Sequence, residues 1–112
     1  MKNKFITIKT GTNRYRKVFL DDIILCKAER AYSSIKTDDS EYVFCEPLKK
    51  LEKIFEMHES FLRVHKSYIV NIEKCIELKI GAKPELILEN QDIIHPNPEI
   101  LNEIIALFKI NN

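Results

Sequence analysis

Glycine occurs only at positions 11 and 81 of the 112 residues, and tryptophan is absent. Neither a Walker-type loop nor a GxGxxG dinucleotide fingerprint can be built from Gly11 and Gly81, so no nucleotide cofactor in a standard site is expected. His58, His65 and His95 form neither an i, i+4 pair nor an HExxH motif, which leaves a metal site without support. Cys26, Cys45 and Cys75 are odd in number and widely spaced, so neither a disulfide framework nor a CxxC-type zinc site is expected. They read as small buried apolar residues. No run approaches the ~20 apolar residues that span a bilayer. The opening "MKNKFITIKTGTNRYRK" also lacks the apolar core of a signal peptide. Both features imply an intracellular, cytoplasmic protein with no membrane contact. The acid pairs Asp21/Asp22 and Asp38/Asp39 fall at expected turns, where acids break strands, rather than forming an acid/base dyad. An enzyme built on His65 with a cysteine or carboxylate partner would need a concave pocket to converge them. The expectation is no cofactor and no catalysis.

What is present fits a single domain spanning 1–112. The chain is too short for two ordinary domains and, at 45% hydrophobic and 31% charged residues, lies within the globular range. The net charge of +1 hides a polarity. Residues 1 to 20 hold Lys2, Lys4, Lys9, Arg14, Arg16 and Lys17 and no acid, which leaves −5 on the other 92. Such a cluster is the footprint of a polyanion partner, or an ordinary solvated strand pair whose charges are balanced by acids elsewhere in the fold.

Read for period, the chain is mostly β. "KFITIKT" and "RYRKVFL" flank "GTN", a three-residue hairpin signal in which Gly11 and Asn13 can take positive φ. "IILCKA" and "YSSIKT" follow around a bend at 29–31, and "DDS" turns into "EYVFCE". In "PLKKLEKIFEMH" the apolar spacing becomes helical through Leu48, Leu51, Ile54 and Phe55, with Pro47 suited to the first helical position. "FLRVH", "SYIVN", "CIELKI", "ELILEN" and "DIIH" return to strand composition. "PEILNEIIALFK" closes as a helix with Asn97 as N-cap and Pro98 at the first helical position. Layered antiparallel sheets with two short helices are expected.

The segment "FLRVHKSYIVN", Phe61 to Asn71, sets Arg63, His65, Lys66, Ser67 and Asn71 among apolar residues with no acid. If the apolar residues are mostly anchored, Arg63, His65, Lys66 and Ser67 offer cationic and hydroxyl donors at a strand junction. Such donors suit phosphate oxygens or guanine acceptors in a major groove. Basic residues on exposed strand ends are also commonplace, and the residues alone leave both readings open.

This segment resembles the "F-x-R-[IV]-H-[RK]-S-[YF]-[IL]-V-N" signature of the LytTR family of bacterial DNA-binding domains. "FLDDIILCKAERAYSSIKTDDSEYVF" is similar to the family's opening, and "PLKKLEKIF" to its "sLkeLe" helix. The resemblance covers 18–108 and leaves 1–17 as a basic N-terminal hairpin. It implies a mainly β fold of three small antiparallel sheets stacked side by side. It also implies a bacterial transcriptional regulator that binds specific sequences of double-stranded DNA without catalysis. Loops and strand ends would reach two successive major grooves and the minor groove between them.

By the same resemblance, Lys66 is a DNA contact at the centre of the signature, and Arg30, Tyr32 and Ser33 form another. Arg63, His65, Ser67 and Asn71 contribute to contact or hold the loop, with Asn71 expected to cap a turn. Binding as a homodimer on promoter repeats is implied, as is control by a receiver domain or a sensor partner. Met1 stands only a strand or two before the family pattern, consistent with a single-domain regulator or a piece of a longer one. One departure concerns the site. Where the family has a Ser–Arg pair before its last helix, this chain has Pro96 and Asn97, which leaves His95 and Asn97 as candidate substitutes. An N-capping Asn97 would have its side chain already engaged. The alternative is a protein-interaction module of the same fold in which DNA binding is weak or lost.

Overall fold

Ten strands and two helices follow one another in the computed structural model, which describes residues 4–110. Lys2, one of the six early cations, lies outside the described residues. β1 (Phe5–Gly11) and β2 (Arg14–Phe19) pair as an antiparallel hairpin around Thr12 and Asn13. Asn13 takes the left-handed conformation at φ 56, whereas Gly11 keeps ordinary φ and joins the ladder opposite Arg14. The turn therefore rests on the local hydrogen-bonding capacity of an asparagine rather than on glycine's freedom.

A five-stranded antiparallel sheet forms the middle of the molecule, in the order β5 (Glu41–Phe44), β4 (Ser33–Thr37), β3 (Ile23–Ala28), β7 (Tyr68–Asn71), β6 (Phe61–His65). A third sheet joins β8 (Cys75–Lys79), β9 (Glu85–Leu88) and β10 (Ile93–Ile94). The mainly β class and the three antiparallel sheets agree with expectation. The central sheet buries both faces because β3 reads as a continuous apolar run rather than an alternating one. Ile23 and Cys26 face one core with Ile6, Ile8 and Val18 of the hairpin, while Ile24 and Leu25 face the other with Leu86, Leu88 and Ile94.

Helix α1 (Leu48–Ile54) lays Leu48 and Leu51 into the first core. A 3₁₀ turn at Phe55–Met57 continues it, and the Phe55 ring stacks on Phe61 at 4.2 Å. Pro47 stands at the N-cap, one residue earlier than expected, and Ile54 remains exposed. Helix α2 (Leu101–Phe108) follows a 3₁₀ turn at Pro98–Ile100 and buries Ile104 in the second core. No described helix is long and apolar enough to cross a membrane. The cysteines divide. Cys26 is buried as expected and Cys75 partly so, but Cys45 is exposed because it follows the end of β5.

The third sheet is clipped to the central one by Lys36 of β4, whose Nζ donates to Asp92 Oδ2 at 2.9 Å. This contact holds the Asp92 carboxyl below its ordinary value of 3.8 and raises the Lys36 amine above its own. A depressed carboxyl stabilises the fold above its unfolded pKa and loses that contribution as pH falls through the folded one. Both side chains are more than a third exposed. Asp92→Asn is therefore expected to cost only about 0.5–1 kcal/mol at neutral pH. In urea melts the gap from the parent protein should close as the pH drops below 4; a gap that persists there would assign the cost to packing.

Candidate nucleic-acid interface

Four segments meet at one end of the central sheet. The strands β6 and β7 are joined by Lys66 and Ser67, and the Ser67 carbonyl accepts from the Ala28 N–H at 2.8 Å. This bond extends the β3–β7 ladder by a step and seats the 66–67 turn beside the 29–32 bend. The bend is closed by the Glu29 N–H donating to the Tyr32 carbonyl at 3.0 Å. On the other side of the turn, β6 carries a bulge that leaves Val64 without a partner in the register with β7. The Val64 carbonyl accepts from the Asn97 N–H at 2.8 Å, drawing 95–97 against the free edge of β6. Bulges are common beside binding sites because they re-aim the neighbouring side chains. His95 then reaches the 80–84 loop, its Nδ1 3.4 Å from the Pro84 carbonyl.

Within the signature the side chains divide their tasks. Arg63 makes three hydrogen bonds within the fold. Its Nη1 donates to Glu52 Oε1 at 2.8 Å, its Nε to the His65 carbonyl at 3.4 Å, and its Nη2 to the Lys66 carbonyl. One planar fork therefore ties α1 to both residues that precede Ser67. The half-buried His65 accepts the Ser67 N–H on Nδ1 at 3.0 Å and packs its ring against Tyr68 at 5.5 Å. As an acceptor at Nδ1, the neutral ring carries its proton on Nε2. Asn71 is buried and caps the 3₁₀ turn at Ile72–Lys74, as expected. Its Oδ1 accepts from the Glu73 N–H at 3.1 Å, and its Nδ2 donates to the Ile23 and Leu20 carbonyls at 2.9 and 3.4 Å.

Lys66 is exposed at the tip, and so are Arg30 and Tyr32 on the neighbouring bend. Neither Lys66 nor Arg30 has an ion pair among the described residues. Ser33 requires a correction. It is fully buried at the start of β4, and its hydroxyl donates to the Glu46 carbonyl at 2.9 Å, so it presents nothing to a ligand. Its neighbour Tyr32 takes the exposed position instead.

Asn97 also departs from expectation. It stands at the N-cap of the 3₁₀ turn that opens at Pro98, yet its side chain makes no cap hydrogen bond. The exposed amide therefore remains available to a ligand. Lys83 was missed in the sequence because "GAKP" reads only as a turn. It lines a hollow with Ala82, Pro84, His95, Pro96 and Pro98, and that shared hollow places a further cation beside the candidate residues.

The comparisons with known proteins bear on the family and the fold. Residues 13–99 match the family model of the LytTr DNA-binding domain. The fold is similar to the LytTr DNA-binding domain of a protein described as a methyl-accepting/DNA response regulator from Bacillus cereus. That match has a TM-score of 0.75 and 16% identity, covering 96% of this chain and 99% of the other. No curated protein matches the chain. A family match over most of the chain, joined to the shared three-sheet fold, leads to one conclusion: the chain belongs to the LytTR family of DNA-binding domains.

Proposed function

We propose that the chain binds specific sequences of double-stranded DNA as the DNA-binding part of a bacterial transcription regulator in the cytoplasm. The supporting observation is that Arg30, Lys66 and Lys83, with no ion pairs among the described residues, sit on neighbouring segments at one end of the molecule. Cations gathered on one surface without an ion pair among the described residues favour a polyanion. Lys66 and Arg30 suit phosphates or the guanine edge in a major groove, with Tyr32 and the Ser67 hydroxyl beside them. The free Asn97 amide can pair with adenine, and His95 and Lys83 flank it. In this reading Arg63, His65 and Asn71 shape the surface, and Ser33 is part of the interior. The longest extent of 50 Å is enough to reach two major grooves about 34 Å apart. Homodimeric binding on repeats, under a receiver or sensor partner, completes the proposal. DNA recognition of this kind requires no cofactor and no catalytic step.

Lys66→Ala tests the reading directly. Binding to random-sequence duplex DNA, followed by anisotropy at several salt concentrations, should weaken. If Lys66 contacts a phosphate, the salt slope should fall by about 1. If it reads a base, one selected position should relax at a cost of about 1–3 kcal/mol. An isotherm identical to the parent's would remove Lys66 from the interface.

The interaction-module reading draws on one feature, a groove between α1 and α2 rimmed by Glu52, Glu56, Glu59 and Glu103. It predicts no salt-dependent affinity for DNA under any condition.

A further inference from the structure

The cations of the N-terminal hairpin have no place in the interface described above. They separate into two kinds. Arg16 lies over the Tyr42 ring at 5.0 Å and Lys17 over the Phe5 ring at 4.6 Å, so both help to hold the hairpin's two faces in place. Lys9 and Arg14 are exposed, without ion pairs or cation–π partners among the described residues. Across the ladder Lys9 faces Tyr15 and Arg14 faces Gly11, so neither cation meets an acid where a solvated hairpin would gain from one. From Lys4 to Phe19 there is no acid at all.

Two contacts give the hairpin its direction. Its base is fixed where the Leu20 N–H donates to the Lys4 carbonyl, and the Leu20 carbonyl in turn accepts from Asn71, at the end of β7 away from the 66–67 turn. Its far half lies against the end of β5, where Cys45 Sγ is 3.9 Å from the Lys9 carbonyl. Phe44, the residue before Cys45, pairs with Ser33, and the Ser33 hydroxyl donates to the Glu46 carbonyl. Lys9 is thus carried to the end of the central sheet that holds the 29–32 bend, and Gly11 to Arg14 continue beyond it. The tip carries a bulge between Lys9 and Gly11 and a left-handed Asn13. Tyr15, 68% exposed opposite Lys9, offers a flat surface with a hydroxyl beside the two cations. Glu46 lines the hollow beside Lys9 but forms no ion pair with it.

We propose that this tip is a phosphate-binding arm, in which Lys9 and Arg14 hold backbone phosphates of the duplex engaged by the 29–32 bend. The proposal rests on the DNA-binding reading and extends it to β1, which lies outside the matched family segment of residues 13–99. The arm adds affinity without sequence information, because phosphate contacts position a protein and base contacts specify it.

The test is a salt titration of the whole chain on random-sequence duplex DNA, comparing the parent with Lys9→Ala/Arg14→Ala, Lys9→Arg/Arg14→Lys and Lys66→Ala. Removing two phosphate contacts should lower the slope of log K on log salt by about 1.8. The charge-conserving pair should keep the parent slope, and the sequences retained by selection should not change. Unaltered far-UV circular dichroism and Tm will show that the exposed substitutions leave the fold intact. An unchanged slope for Lys9→Ala/Arg14→Ala, in a parent that binds and that Lys66→Ala weakens, overturns the arm alone. A parent that shows no salt-dependent binding overturns the DNA reading and the arm together.

Discussion

Replacing Asn71 by leucine is expected to lower the unfolding free energy by about 3–5 kcal/mol, although the two side chains are similar in size. The amide lies in the interior at 3% exposure and serves three backbone groups at once: the Ile23 and Leu20 carbonyls and the Glu73 N–H. Leucine would fill the space and take this partner from the Ile23 carbonyl and the Glu73 N–H, while the Leu20 carbonyl keeps its bond from the Ile23 N–H. Each buried polar group so stranded costs about 1–3 kcal/mol, and the better packing of leucine returns part of the total. The bonds span 48 and 51 residues of sequence. They join the entry into β3 to the exit of β7, so losing them loosens the central sheet at its middle. Urea melts should show the midpoint fall while the m-value holds. A loss below about 1 kcal/mol would mean that water replaces the amide at this site.

Arg63→Ala should weaken DNA binding by about tenfold without lowering the salt slope, which separates it from Lys66→Ala. The guanidinium already donates through all three of its nitrogens within the fold. It bridges Glu52 and the carbonyls of His65 and Lys66, so its loss frees the tip that carries Lys66. A donor lost from a positioned loop costs affinity by adding disorder that binding must then remove. The same change should cost about 1–2 kcal/mol of stability, because the hydrogen bonds are charge-assisted but only partly shielded. Arg63→Lys should not restore binding, since one ammonium cannot reproduce a fork that spans a carboxylate and two carbonyls. A slope reduced by about 1 for Arg63→Ala would instead make the guanidinium a direct phosphate contact.

The signature "FLRVHKSYIVN" shows how these roles were divided between sequence and fold. Its lack of acids and its mixed character marked it as two-faced, and the resemblance pointed to Lys66 as the contact. Which donors face outward depended on partners far away in the chain. Arg63 is occupied by Glu52 of α1, and Asn71 by the Leu20 and Ile23 carbonyls. Ser33 was misplaced for a related reason. β4 lies between β3 and β5 and buries Ser33 and Ser34 alike, so exposure there is decided by what packs on both faces of the sheet and not by alternation along the strand. Asn97 differed because N-cap preference is a local tendency, whereas the tertiary bond from its N–H to Val64 positions this segment.

Local chemistry in the sequence was sufficient to determine the strands, the two helices, a hairpin turn within Gly11–Asn13 and the acid-free start of the chain. Each depends on side-chain period, turn residues or composition over a few neighbouring positions. Only the tertiary structure decided that the 29–32 bend, the 66–67 turn, 95–97 and the 80–84 loop share one end of the molecule, and that Lys9 is carried to the same end. Those adjacencies arise from strand order β5-β4-β3-β7-β6 and from a few backbone hydrogen bonds between segments distant in sequence. Long-range pairings of this kind are selected by burying both faces of the central sheet together, a property of the assembled cores that no short window of residues contains.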